Sequence, residues 1–179
     1  HAFDARAATY ADCGTPFWTA PGTSSWLTIL GRVTNMRTNN LDAVDAAVAT
    51  GLPVWAGVSW RQVAGRPVQT FDEDTRGDLE PLVEGLTGRG VGALAVMHTP
   101  VTDIDAGLSV LRRHWTGPLG AYPESGYFIM PSWQFVDVIE VPDFVARALA
   151  WTAGGVQIVG GCCGLGPRHI RALAAALRG

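Results

Sequence analysis

Two kinds of hydrophobic pattern alternate along this chain from about Thr38 to its end, and that alternation restricts the fold more than any other feature. Apolar residues at helical spacing mark Asn39–Thr50, Asp74–Thr87, Asp103–His114, Pro142–Ala153 and Pro167–Leu177. Short, nearly continuous apolar runs mark Pro53–Ser59, Gly92–Met97, Pro118–Tyr122 and Val156–Gly160, with a further candidate strand at Leu27–Val33. Strands that alternate with helices of this length predict parallel βαβ units with right-handed crossovers, and hence an α/β fold.

The beginning of the chain follows no such pattern. Residues 1–30 are punctuated by Gly, Pro, Thr and Ser, and they have no clear apolar period. We therefore predict an irregular N-terminal segment, residues 1–30, followed by one α/β domain, residues 31–179. A chain of 179 residues has enough apolar content for a single hydrophobic core.

Charge and cysteine usage exclude several classes of partner. The formal net charge is −3, and the charged residues are scattered, which favours neither a nucleic acid nor a membrane surface as a partner. No apolar stretch is long enough to cross a bilayer. The chain has three cysteines, two of them adjacent, and this is not the pattern of a secreted disulfide framework. We expect a reducing, cytoplasmic environment.

The two adjacent cysteines lie in the segment Gly160–Gly164, directly after the last predicted strand. Neighbouring strand residues point to opposite faces, so both sulfurs serve one centre only if the backbone turns sharply there. The flanking glycines permit such a turn. Two converging thiolates suit a zinc ion. Two alternatives stay open: Cys162 and Cys163 are small buried hydrophobic side chains, or they form a vicinal redox-active dithiol.

Four segments of the chain carry motifs of one known family: Val54–Trp60, Ala95–Thr99, Tyr122–Gly126 and Val156–Leu173. The last segment contains Gly-Gly-Cys-Cys followed by Pro-x-His-Ile, the third contains Tyr-Pro-Glu-Ser-Gly, and the second contains Val-Met-His-Thr. Together they resemble the homocysteine S-methyltransferases, which are zinc-dependent thiol methyltransferases. The Gly-Gly-Cys-Cys run is similar to that family's closing motif, Tyr-Pro-Glu-Ser-Gly resembles its Tyr-Pro-Asn-Ser-Gly loop, and Val-Met-His-Thr aligns with its Val-Asn-Cys-Thr strand end.

The resemblance implies a fold and a site. The family is built on a (β/α)8 barrel, and this chain corresponds to about the last four to five βα units of one, a C-terminal half-barrel. It implies Zn²⁺ as cofactor, with His98, Cys162 and Cys163 as ligands and no catalytic residue beyond this metal site. Here His98 stands where the family has a cysteine, and imidazole is also a good zinc ligand. Residues that would contact substrate are Tyr122, Glu124, Ser125 and Trp60.

Departures from the family pattern carry further expectations. Glu124 replaces the usual asparagine, and Arg32 lies near a position that often carries a substrate-binding acid. The first half of a barrel, which takes about 250 residues in all, has no counterpart in this sequence. Half a parallel sheet leaves strand edges and an apolar face uncovered. We therefore expect a homo-oligomer, or a second chain that supplies the missing strands.

The resemblance makes one function the leading hypothesis: methyl transfer from a small-molecule donor to a homocysteine-like thiol, by an S-methyltransferase or a subunit of one. An alternative is a non-catalytic half-barrel partner, or scaffold subunit, whose metal site has degenerated. A third reading is a zinc hydrolase or lyase that activates water. Cys13, in irregular sequence, is expected to be a bystander, with a third sulfur ligand as the alternative, whereas His114 and His169 are predicted to serve helix ends and packing.

Overall fold

Five parallel strands form the central sheet of the protein, whose computed structural model describes residues 27–30, 39–62, 64–70, 77–129 and 134–178. The five strands are β1 (Leu27–Leu30), β2 (Val54–Val58), β5 (Ala93–Pro100), β6 (Leu119–Glu124) and β9 (Ile158–Val159), numbered together with four short strands described below. Their order in the sheet is β1-β2-β5-β6-β9, and every neighbouring pair is parallel. The α/β architecture with parallel strands, predicted from the alternating pattern, is confirmed.

In the described ranges, five helices alternate with the strands along the chain. They are α1 (Asn39–Val48), α2 (Leu79–Leu86), α3 (Ile104–His114), α4 (Val141–Ala153) and α5 (Pro167–Ala176). Helix α3 has Asp105 in its first turn and Arg112, Arg113 and His114 in its last. This distribution complements the helix dipole, as its sequence predicted. Proline occupies the first turn of α4 and of α5, where its missing N–H removes no helical hydrogen bond.

The main hydrophobic core lies between one face of the sheet and the helices. Alternate residues of β2, β5 and β6 enter this core together with residues of α2, α3 and α4. Its fully buried members include Val58, Leu94, Leu108 and Phe144. Because successive strand residues point to opposite faces, the other half of each strand belongs to a second face.

The second face of the sheet carries a separate buried cluster of Ala95, Met97 and Tyr122. Gly57 makes room for it, because a Cβ there would lie 2.5 Å from the Tyr122 hydroxyl. Gly120 does the same on β6, where a Cβ would lie 2.7 Å from that of Ala95. In the described part of the sheet, β1 and β9 are the two end strands.

Two small antiparallel pairs, absent from the sequence prediction, are added at the loops that follow the strands. Strand β3 (Trp60–Arg61) pairs with β4 (Gln69–Thr70), and β7 (Tyr127–Ile129) pairs with β8 (Gln134–Val136). Each strand has only two or three residues, too few to show a period in the sequence. Helix α2 begins at Leu79, later than the predicted Asp74, and residues 71–76 lie outside the described residues.

Some of the sequence predictions concern residues that the structure does not describe. Residues 1–26 and 31–38 lie outside the described ranges, and with them Cys13 and Arg32. The division into segments 1–30 and 31–179 therefore stays a prediction, although Leu27–Leu30 does form the predicted extra strand. None of the described helices combines the length and the apolar composition that spanning a membrane requires.

Candidate metal centre

Three neighbouring strands bring distant parts of the chain to one edge of the sheet. Strand β6 lies between β5 and β9, with Met97 beside Tyr122 and Ala121 beside Val159. Because the strands are parallel, their carboxyl ends meet at the same edge, which is where sites in α/β proteins are built. His98 lies near the end of β5, Glu124 ends β6, and the paired cysteines follow β9.

His98 lies in a bulge of β5. Met97 pairs with Tyr122 and Pro100 with Glu124, so β5 advances three residues while β6 advances two. The backbone of His98 is left-handed, with φ of +42°. A non-glycine residue with this conformation is strained, and bulges commonly re-aim a side chain beside a functional site. The bulge thus gives His98 a direction that a regular strand would not.

Thr99 anchors this bulge, and this role was not predicted from the sequence. Its side chain is fully buried, and its hydroxyl donates to the Met97 carbonyl at 2.8 Å. The same oxygen accepts the backbone N–H of Trp60 at 3.2 Å. The bulge is therefore tied both to its own strand and to β3. The only hint in the sequence was the position of Thr99 directly after His98.

Replacing Thr99 by valine is expected to destabilise the protein and to loosen the bulge. Valine has nearly the same shape but leaves the Met97 carbonyl and the Trp60 N–H without this partner, a loss of about 1–3 kcal/mol of unfolding free energy. Chemical denaturation measures this loss. Thr99→Ser is the control, because it keeps the hydroxyl and gives up one methyl group, about 0.8 kcal/mol. Equal effects of the two variants would contradict the anchoring role.

The turn that carries the cysteines runs alongside the end of β6. Gly160 N–H donates to the Ala121 carbonyl at 3.0 Å, and Cys162 N–H donates to the Pro123 carbonyl at 2.8 Å. In the opposite direction, Ser125 N–H donates to the Cys163 carbonyl at 2.9 Å. These bonds hold the chain against β6 beyond the last residue of β9. The adjacent cysteines consequently keep a fixed position relative to Glu124.

Gly164 closes this turn. Its φ is +78°, and a Cβ at this position would lie 1.9 Å from the Ser125 carbonyl oxygen. Glycine adopts this conformation without the steric cost that other residues have. Cys162 is 4% exposed and Cys163 is half-buried. The predicted sharp turn is present, and it brings both thiols to the same side.

The donor atoms of His98, Cys162 and Cys163 lie together. The two Sγ atoms are 3.8 Å apart, and His98 Nδ1 lies 3.8 Å from Cys162 Sγ and 3.9 Å from Cys163 Sγ. Zinc bond lengths of about 2.3 Å to sulfur and about 2.0 Å to nitrogen give tetrahedral ligand separations of about 3.5–3.8 Å. The observed spacing fits such a set. Among the described residues, these three form the group whose donor atoms lie within 4.8 Å of one another.

The electrostatics of this group favour positive charge. Glu124 Oε2 lies 2.9 Å from His98 Nδ1, with both side chains partly shielded from solvent. The Cys163 sulfur and then the Glu124 carboxylate raise the pKa of His98 to about 9, and burial opposes this only partly. Two thiols and a carboxylate around one position stabilise a cation there. A divalent metal needs the same environment.

The residues predicted to contact substrate divide into two groups. Tyr122 and Glu124 point to the second face of β6, and Ser125 is buried beside them, where its Oγ accepts the Ile139 N–H at 2.8 Å. Trp60 does not join them. It is fully buried in the main core, where a Cβ on Gly107 of α3 would lie 2.1 Å from its Nε1. Its position after a strand suggested the site, but packing on α3 sets its direction.

The two other histidines of the described residues, His114 and His169, have the helix-end and packing roles that the sequence predicted. His169 is buried at the start of α5, where Nε2 lies 3.0 Å from the Ile139 carbonyl and the ring packs edge-on against Phe144. His114 ends α3 with Nε2 at 2.7 Å from Glu80.

A cleft of about 340 Å³ opens beside the candidate metal centre, and three of its five polar lining residues, Thr102, Asp137 and Arg147, were not predicted from the sequence. Glu124 and Ser125 form one side of it. Asp137 and Arg147 contribute charged groups from the segment that leads into α4 and from α4 itself. Asp137 has a left-handed backbone, with φ of +53°. Glu124 thus borders both the cleft and the imidazole of His98.

Comparison with known proteins places the chain among its relatives. The family model for homocysteine S-methyltransferase matches residues 28–177. The chain belongs to this family. One relative is homocysteine S-methyltransferase YbgG of Bacillus subtilis (strain 168), 30% identical over 90 residues, which are 49% of this chain and 28% of that protein. Another is homocysteine S-methyltransferase 4 of Zea mays, 30% identical over 92 residues, which are 49% of this chain and 27% of the relative.

These matches define how far the likeness reaches. The chain covers little more than a quarter of each of these two homocysteine S-methyltransferases. The family match extends over most of the chain and includes every residue of the candidate metal centre. The resemblance that was read from four short motifs is confirmed at the level of the family.

Proposed function

We propose that this chain is a zinc-dependent S-methyltransferase, or a subunit of one, that transfers a methyl group to a homocysteine-like thiol. The observation that carries the proposal is the convergence of His98 Nδ1 with the sulfurs of Cys162 and Cys163, at zinc-ligand spacing. This convergence lies at the edge of the sheet where parallel strands end, in a chain of the homocysteine S-methyltransferase family.

His98, Cys162 and Cys163 would hold the metal and leave one position of a tetrahedral set for the sulfur of the acceptor. Zinc in this position would lower the pKa of the acceptor thiol, so that it is a thiolate at neutral pH. The bulge at His98 and the turn at Gly164 fix the three ligands before the acceptor binds. Their part in catalysis is pre-organisation, which reduces the entropy lost on reaching the reactive geometry.

The proposed methyl transfer is a simple displacement at the methyl carbon. The thiolate sulfur forms a bond to the methyl carbon, the bond between that carbon and the donor's leaving group breaks, and the thiol proton passes to solvent. The donor is a small molecule with an activated methyl group. Tyr122, Glu124 and Ser125 are proposed to border the acceptor, since they lie at the end of β6 next to the metal centre.

The cleft beside Glu124 is proposed to receive the polar end of the acceptor. It has charged groups of both signs, Asp137 and Arg147, as a zwitterionic amino-acid end requires. We propose that Trp60 supports the bulge through its backbone N–H, rather than covering substrate.

Replacing Arg147 by methionine is expected to raise the KM for the thiol acceptor about 10-fold to 100-fold and to leave kcat nearly unchanged. Methionine keeps the apolar stem of the side chain, whereas a lost hydrogen bond to a charged group costs about 1.5–3 kcal/mol. Steady-state kinetics with varied acceptor measure the effect. Arg171→Met, on an exposed position of α5, is the control. An unchanged KM in the Arg147 variant would remove the cleft from acceptor binding.

The assembly of the sheet and the cellular compartment of the thiols are proposed as well. We propose that further strands extend the open sheet beyond β1 and β9 towards a barrel, supplied by a second copy or by another chain, and that the thiols operate in a reducing compartment such as the cytoplasm. The Cys162 and Cys163 sulfurs lie 3.8 Å apart, too far for a disulfide bond, and this supports the latter. Solution mass by light scattering tests the former, and a strictly monomeric protein would contradict it.

Metal content followed by a transfer assay tests the proposed function. Protein purified in reducing buffer is expected to hold about one zinc per chain and to convert homocysteine to methionine with an activated methyl donor, such as a methylsulfonium amino acid. Zinc without transfer to any thiol tested would favour the non-catalytic partner, for which the presence of His98 in place of the family's cysteine is an argument. Absence of zinc would overturn the proposal.

A further inference from the structure

One short stretch of chain, Asp137–Ile139, joins the wall of the cleft to the turn that carries the cysteines, and we call it the bridging segment. Asp137 and Ile139 line the cleft. Between them, Val138 packs against both neighbours: its Cγ2 would lie 3.0 Å from a Cβ on Gly126 and 3.3 Å from a Cβ on Gly164. The bridging segment therefore sets where the Asp137 carboxylate stands relative to the cysteine turn.

The bridging segment lies between β8 and α4 and belongs to neither, so its backbone groups need partners from elsewhere. Side chains supply both partners of Ile139. Its N–H donates to Ser125 Oγ at 2.8 Å, and its carbonyl oxygen lies 3.0 Å from His169 Nε2. The N–H of Ser125 in turn donates to the Cys163 carbonyl at 2.9 Å. A continuous chain of hydrogen bonds thus links α5, the bridging segment and the cysteine turn.

His169 is placed to make one hydrogen bond. It is 1% exposed, and its ring packs edge-on against Phe144, with centroids 5.8 Å apart. A carbonyl oxygen only accepts, so His169 Nε2 carries the proton and donates it to Ile139. In the part of the chain that the structure describes, the buried Nδ1 has no hydrogen-bond partner. An apolar ring would pack here without the cost of burying a polar one, so packing alone does not account for the Nε2–H donor.

The backbone of Asp137 needs support from its surroundings. Its φ is +53°, in the left-handed region that residues with a Cβ enter at a cost in free energy. Such a conformation persists where the surrounding structure holds it in place. On one side Val136 pairs with Tyr127, and on the other side Ile139 is held by His169. Loss of the His169 donor would release one of these supports.

We propose that His169 is a positioning residue for the acceptor: through Ile139 it holds the Asp137 carboxylate on the wall of the cleft, without lining the cleft itself. This inference rests on the proposed function, because it takes the cleft as the place of the acceptor's polar end. It goes beyond that function by giving a buried histidine on α5 a role in acceptor binding.

Steady-state kinetics of two variants test the proposal. His169→Phe keeps a ring against Phe144 but removes the donor, so the KM for the thiol acceptor is expected to rise about 3-fold to 10-fold, with kcat and zinc content nearly unchanged. His169→Gln restores an N–H donor and is expected to keep KM within about 2-fold of the unmodified protein. An unchanged KM in His169→Phe, or equal losses of acceptor binding, kcat and zinc in both variants, would overturn the proposal.

A double-mutant cycle tests whether Asp137 is the group that His169 positions. In the Asp137→Asn background, His169→Phe is expected to change KM by less than about 2-fold, because the carboxylate whose place it sets is gone. The same change in KM in both backgrounds would contradict the link between the two residues.

Hydrogen exchange supplies a readout that needs no turnover. The Ile139 N–H is expected to exchange about 3-fold to 10-fold faster in His169→Phe and at its original rate in His169→Gln, since only the first variant releases the bridging segment. His114→Gln is the matched control, because that ring contacts Glu80 on α2, and it is expected to leave this exchange rate and KM unchanged. Faster exchange throughout the chain in His169→Phe would show a purely structural role and count against the proposal.

Failure of the inference can be told apart from failure of the proposed function. If the unmodified protein transfers no methyl group to any thiol, the proposed function fails and the inference falls with it. If the unmodified protein binds zinc and transfers methyl groups, but His169→Phe leaves KM unchanged, only the inference is wrong.

Discussion

Cys162→Ala is expected to lower the zinc affinity of the protein by more than about 100-fold. Loss of a group that merely orients a ligand typically costs 10-fold to 100-fold, and loss of a ligand itself removes a whole metal–sulfur bond. Cys162 is 4% exposed, so no other thiol reaches its place without a rearrangement of the turn. Zinc content by mass spectrometry and affinity by chelator competition measure the effect.

Cys163→Ala is expected to behave in the same way, and Cys13→Ser provides the control, since the third cysteine has no assigned role. Methyl transfer should fall together with zinc in the first two variants and persist in the third. Because only one small side chain changes, the fold should remain, with an unchanged far-ultraviolet circular dichroism spectrum. Full zinc binding by the Cys162 variant would show that the paired sulfurs are packing residues and would remove the basis of the proposed function.

Gly164→Ala is expected to be the most damaging single-methyl change at the site, with a loss of about 2–5 kcal/mol of unfolding free energy. The left-handed backbone costs about 1–2 kcal/mol for a residue with a Cβ. Steric crowding adds about 1–3 kcal/mol, because that Cβ would lie 1.9 Å from a backbone oxygen of Ser125, which cannot rotate away. The turn must then open, which separates the cysteines from the end of β6 and lowers zinc affinity as well.

Gly166→Ala is the matched control, two residues farther along. Its φ is −84°, and a Cβ there has no neighbour within 4 Å among the described atoms. We expect a change below about 1 kcal/mol, because the small loss at a helix N-terminus is offset by reduced freedom of the unfolded chain. Denaturant titration of both variants gives the comparison. Similar stabilities would mean that the turn around Gly164 adapts easily.

The features that sequence reasoning found are local ones. Helix α3 was placed almost to the residue, because its apolar spacing, its acidic start and its basic end all lie within one short segment. The parallel sheet followed from the alternation of such segments. The turn after β9 was recognised because Gly160, Gly161 and Gly164 surround the cysteine pair. None of these predictions needs a contact between distant residues.

The features that were not predicted from the sequence depend on packing between helices and strands. Trp60 directly follows a predicted strand, just as His98 does, but in the structure its ring packs against Gly107 in the main core. The left-handed backbone of His98 arises from a register shift between β5 and β6. The residues next to His98 in the sequence give no sign of this shift. The anchoring role of Thr99 depends on the backbone of β3. Each of these facts joins segments that are far apart along the chain.

What the amino-acid sequence determined by itself is the α/β architecture, the family and the identity of the three candidate ligands, since periodicity and motifs are properties of neighbouring residues. Only the tertiary structure decided that His98, Cys162 and Cys163 meet at metal-ligand spacing, and that Glu124 touches the imidazole. The physical reason is that these distances are set by strand pairing and by one bulge. A change of one residue in the register of β5 would point His98 elsewhere and leave the sequence motifs intact.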